Sequence, residues 1–126
     1  MRAVGSDVLV RLLARDDAKQ VRAAEVFIDG GALVTVLALA ETLWVLESSY
    51  GLDTKQLAIT VDMLLEHRQL VLQDIEVVTA ARDRFHRKPG IAFSDCLLLE
   101  LARKAGHLPL GTFDRDLGRM DGAVVL

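Results

Sequence analysis

The chain has a single cysteine, Cys96, so no disulfide can close within it, and no Cys/His spacing resembles a zinc site. That argues against redox and structural zinc roles. It also has no long hydrophobic run. Arg11, Glu41, Glu47 or Asp95 interrupts each apolar stretch well short of the roughly 20 residues that cross a bilayer, and the N-terminus carries no signal-peptide pattern, so no membrane role and a cytoplasmic location are expected. Positive charge is short as well. A net charge of −3 argues against binding nucleic acid through a broad positive field, so any such affinity must be local or metal-mediated. Only three histidines occur, and His67, His86 and His107 fall near helix ends or in a turn, where capping explains them better than general-base work.

What is present is apolar. At 126 residues, 52% hydrophobic and 26% charged, the chain fits one domain, 1–126, able to bury about two thirds of its unfolded surface, and is apolar enough to suggest a covering partner or a homodimer. Met1 to Val4 reads as a strand, and Ser6 or Asp7 should cap a helix after it. Helices follow at Asp17 to Ile28, Leu37 to Ser49, from Asp53 or Thr54, Asp74 to His86 and Ser94 to Ala105. Between them lie strands at Ala32 to Val36, Gln69 to Leu72 and Leu108 to Phe113, then a short helical turn from Asp114 to Met120 and a closing strand at Ala123 to Leu126. The alternation predicts an α/β fold, a three-layer α/β/α sandwich with a central parallel sheet.

Four acids stand out within this pattern. Glu41 is expected on the inner face of its helix with Leu37, Trp44 and Val45, and Asp95 on the inner stripe of its helix with Leu98, Leu99 and Ala102, while Glu100, Arg103 and Lys104 are expected on the solvated side. Asp114 and Asp116 directly follow a strand, where open parallel sheets bind ligands. Carboxylates about 4 Å apart repel by roughly 4 kcal/mol at an effective dielectric of 20, so a cluster of them is held together best by cations such as Mg²⁺ or Mn²⁺. Plain helix N-capping is the competing explanation for Asp95 and Asp114.

Four segments in order, AVGSDVLVRLL, LAETLWVLESSYGL, FSDCLLLELARKAG and TFDRDL, resemble the blocks of PIN-domain ribonucleases, particularly VapC-type toxins of toxin–antitoxin pairs. The resemblance spans nearly the whole chain. It implies a Mg²⁺- or Mn²⁺-dependent endoribonuclease that cuts RNA and is restrained by a cognate antitoxin. Position by position, Glu41, Asp95 and Asp114 with Asp116 match the family's later acids, Thr112 a hydroxyl residue before the last of them, and Ser6 a usual Thr or Ser. The opening family acid corresponds to Gly5, which has no ligand atom, and Asp7 replaces a usual Asn. A natural low-activity member, a site rearranged around Asp7, and a substitution that makes a toxic nuclease tolerable all fit.

Around that set, Arg115 and Arg119 are placed to contact RNA, and Arg82, Arg84, Arg87 and Lys88 form the densest basic stretch. Cys96 reads as a small core residue. Two other readings compete: a non-catalytic PIN-like protein that binds RNA or antitoxin, and a phospho-acceptor receiver domain, which fits poorly because acids sit inside helices.

Overall fold

The computed structural model describes every residue from Met1 to Leu126, and the chain divides into two compact units, Met1–Ile75 and Glu76–Leu126. In the first, strand β1 (Arg2–Ala3) leads into helix α1 (Ser6–Ala14). The N-cap of α1 is Gly5, not Ser6 or Asp7: its backbone is extended and it has no side chain to close the turn. Ser6 is therefore inside the first turn with its hydroxyl available for other work. Helix α2 (Ala18–Ile28) starts where Asp17 accepts the Gln20 N–H at 3.0 Å.

Strand β2 (Ala32–Val34) is followed by α3 (Val36–Ser48), which begins one residue earlier than expected because Thr35 accepts the Ala38 N–H. Helix α4 (Thr54–Glu66) opens with a capping box in which Asp53 and Gln56 satisfy each other's backbone. Strand β3 (Leu70–Leu72) completes a sheet of order β1-β2-β3, parallel throughout, with Arg2 opposite Ala32 and Ala32 opposite Leu70. Parallel neighbours need helical crossovers, which α1–α2 and α3–α4 supply.

In the second unit α5 (Ile75–Arg87) continues from Glu76, α6 (Phe93–Ala105) ends at the left-handed Gly106, and β4 (Leu110–Thr112), α7 (Arg115–Gly118) and β5 (Ala123–Val125) close the chain. Strands β4 and β5 form a separate parallel pair. Parallel strands joined through helices are the α/β organisation expected from the sequence.

Each unit has its own buried apolar set. Leu9, Val21, Ile28, Val34, Leu39, Leu46, Val61 and Leu64 are buried in the first. In the second, Val78, Ala81, Cys96, Leu97 and Leu99 are buried, and the rings of Phe85 and Phe93 meet edge to face at 5.5 Å. Burying each such leucine contributes about 1.5–3 kcal/mol.

Two expected faces are corrected. Helix α3 buries Ala38, Leu39, Thr42, Leu43 and Leu46, so the Leu37–Glu41–Trp44 face is the outer one, with Leu37 69% and Trp44 68% exposed. The helix is apolar nearly all round, and apolarity alone could not choose its inner side. On α6, Glu100 is buried at 5% exposure instead of solvated, because Arg84 at 3.5 Å and Arg103 at 2.9 Å neutralise it. Leu98, expected on the inner face, is 53% exposed.

Candidate active site

In the first unit, the candidate residues lie at the β1–α1 junction and on the outer face of α3. Glu41 is exposed, and its Oε2 accepts a hydrogen bond from the Ser6 hydroxyl at 3.1 Å across 35 residues of sequence. Serine in the first turn of α1, freed from capping, therefore orients the carboxylate on α3. Asp7 is also exposed, and its Oδ1 accepts the Val8 N–H at 2.9 Å. That same oxygen would stand 2.9 Å from a Cβ at residue 5, so the Asp7 carboxylate covers the space above Gly5.

Ser6 and Asp7 line a small cleft of about 210 Å³ with Arg11 and Tyr50. Sequence reading did not single out these two partners. Arg11 donates to Asp16 and to the Tyr50 hydroxyl, each at 3.0 Å, and that hydroxyl donates to Asp16 at 2.8 Å. The Tyr50 hydrogen bond foremost, then a backbone hydrogen bond and Arg11, hold the Asp16 carboxyl below its usual range. Arg11 is thus fixed as a cation on the cleft wall.

In the second unit, Asp95 sits in the first turn of α6, half-buried, and accepts no hydrogen bond from the protein. Burial, then the charge of Asp114, pushes its carboxyl pKa upward. Asp114 caps α7: its Oδ1 accepts the N–H groups of Asp116 at 2.9 Å and Leu117 at 3.0 Å, as the capping reading expected. Its Oδ2 bonds to no protein group. Thr112 holds this turn by accepting the Asp114 N–H at 3.0 Å. The exposed Asp116 carboxylate lies 3.7 Å from Arg119, and Arg115 is exposed without an ion-pair partner.

The acids therefore come as small sets, Ser6 with Glu41 and Asp95 with Asp114, and nowhere do three or more His, Cys, Asp or Glu side chains form a group able to hold a metal ion. The donor chemistry nevertheless fits a hard divalent cation. Every candidate offers oxygen, and a half-buried carboxylate with no hydrogen-bond donor beside a second carboxylate is an electrostatic demand that a cation satisfies. Cys96, one residue on, offers nothing: fully buried, its thiol pKa is pushed up to about 11 by burial and then by Asp95 and Glu100.

Two exposed aromatics flank these acids and were not picked out from the sequence. Trp44 follows Glu41 by one helical turn on α3, and Phe113, 84% exposed, directly precedes Asp114. Their exposure is the signal, and the sequence carries it only once the buried faces are known.

The PIN domain family model matches residues 4–123, and the match runs through both units. Comparison with curated proteins and with solved structures gives no match.

Proposed function

Because the chain belongs to the PIN-domain family, generally a nuclease fold whose members typically use divalent metal ions, we propose that it is a Mg²⁺- or Mn²⁺-dependent endoribonuclease, a toxin of the VapC type neutralised by a cognate antitoxin. The observation that carries this reading is the family match across residues 4–123. The half-buried Asp95 carboxylate, within reach of the Asp114 charge, is its local support. The reaction is hydrolysis of an RNA phosphodiester: a water oxygen bonds to phosphorus and one ester P–O bond breaks.

The resemblance assigns Glu41, Asp95 and Asp114 to the metal, with Asp116, two residues after Asp114, and Asp7, two residues after Gly5, as further carboxylates. When bound, a divalent ion lowers the pKa of a water and offsets charge developing on the phosphate oxygens. Ser6 orients Glu41 through its hydroxyl, and Thr112 fixes the turn that presents Asp114. Arg115 and Arg119 are offered to the RNA strand, and the two units are read as one PIN-like domain. For the antitoxin and for a homodimer, a cleft of about 480 Å³ in the first unit, lined by Leu12, Leu13, Ile28 and Met63 with Arg15, Glu25 and Asp29 among its polar members, is a candidate surface.

Gly5 favours a second reading, a PIN-like protein that binds RNA or antitoxin without cutting, since the position matched to the family's opening acid has no ligand atom. Cleavage of an unstructured RNA in Mn²⁺ and in EDTA separates the two. Mn²⁺-dependent cutting, weak in this chain and stronger in Gly5→Asp, upholds the nuclease. No cutting by either folded protein overturns it.

A further inference from the structure

The cations of α5 and α6 are mostly consumed. Arg84 and Arg103 serve the buried Glu100, Arg82 lies 3.4 Å from Asp83, and Lys104 pairs with Glu76. Arg87 and Lys88, at the end of α5, are exposed and have no carboxylate partner. They line a cleft of about 300 Å³ whose other side carries Arg119 and Asp116 from the α7 region, over a floor that includes the buried Ile91 and Met120. Three cations face one carboxylate there, in a chain whose net charge is −3. The surplus is local, and the cleft joins parts of the chain about 30 residues apart.

We infer that this cleft, Arg87 and Lys88 against Arg119, binds the phosphodiester backbone of a single-stranded RNA. The inference rests on the ribonuclease reading for the identity of the polyanion and deepens it by assigning where the strand is gripped. Unpaired guanidinium and ammonium groups in a recess attract phosphate more strongly than the same groups on open surface, because low-dielectric walls focus the field. Arg87 and Arg119 can each present a planar fork of donors to one phosphate, and Lys88 adds a point charge. Asp116, 3.7 Å from Arg119, keeps that guanidinium at the cleft in the absence of RNA and gives it up when phosphate arrives. The contacts are to the backbone, so they set position along the strand and carry no base preference.

The test measures binding of a short fluorescent oligouridylate by anisotropy in EDTA, as a function of salt, for the whole chain and for the triple variant Arg87→Gln, Lys88→Gln, Arg119→Gln. Each phosphate contact on a single strand contributes about 0.7 to the salt slope, so the triple variant should lose about 2 from it and bind at least about 10-fold more weakly at physiological salt. Lys88→Glu, a single change at an exposed side chain, is the check against misfolding and should lower both slope and affinity alone. Unchanged slope in either folded variant, or no binding by the parent chain at low salt, overturns the cleft.

Cleavage of the same RNA in Mn²⁺ is followed in parallel. A slope that falls on substitution, with no cutting by the chain or by Gly5→Asp, upholds the cleft and overturns the nuclease. Cutting whose KM is unaffected by the triple variant overturns the cleft and leaves the nuclease standing.

Discussion

The Asp7 carboxylate stands over Gly5, with Oδ1 placed 2.9 Å from where a Cβ on residue 5 would lie. Gly5 itself is in ordinary extended backbone, φ −81° and ψ 164°, so glycine is not required there by conformation. Aspartate fits at residue 5 once the flexible Asp7 side chain swings aside. If Asp7 stands in for the missing acid, Asp7→Asn should weaken Mn²⁺ binding in this chain by on the order of 10-fold, and have little effect once Gly5→Asp is present. Calorimetry on the four proteins of that cycle checks it; equal losses in both backgrounds would mean that Asp7 acts independently of position 5.

Ser6 contributes a positioning hydrogen bond, 3.1 Å to Glu41, from a half-buried residue. Removing it in Ser6→Ala should cost stability only about 0.5–1.5 kcal/mol. Turnover should fall more sharply, by on the order of 10-fold, with KM for RNA nearly unchanged, and Ser6→Thr should restore it. Steady-state kinetics with a denaturation curve for each variant separates positioning from mere structure.

The elevated Asp95 pKa has a consequence for stability. A carboxyl whose folded pKa lies above its unfolded value stabilises fully below the ordinary value of 3.8, and that contribution is lost as pH rises through the folded pKa. At pH 7 without metal, the ionised Asp95 is therefore a cost. Asp95→Asn should raise Tm at pH 7 in EDTA, and its advantage should shrink on acidification and close near pH 4. Thermal melts across that window check the sign.

Phe113 is 84% exposed directly before Asp114, and an aromatic ring left in water beside a candidate metal-binding carboxylate suits stacking on a base. Phe113→Ala should leave Tm unchanged and weaken single-stranded RNA binding by about 1–3 kcal/mol, or roughly 5- to 150-fold. Anisotropy at fixed salt measures it.

Much of this arrangement could be read in advance. The helix opening at Asp53, the Gly106 stop and the alternation of strands with helices were local signals, and local signals set where elements begin and end. The inner faces were less legible. On α3 the apolar side chains run nearly all round, so the Leu37–Glu41–Trp44 stripe looked buried although it faces solvent. On α6, Glu100 looked solvated because its two arginine partners lie at Arg84 and Arg103, the first of them on another helix. Likewise the Ser6–Glu41 bond and the pairing of Arg87 and Lys88 with Arg119 join positions far apart in sequence, which periodicity does not address.

The central claim is that Asp95 and Asp114, whose charges already act on each other, serve the same divalent ion. Mn²⁺ titration calorimetry of the parent chain, Asp95→Asn, Asp114→Asn and the double variant tests it most directly. Ligands of one ion act as a unit, so each single substitution should lose nearly as much affinity as the double. Losses that simply add, or an Asp95→Asn protein that binds Mn²⁺ as tightly as the parent, would contradict it.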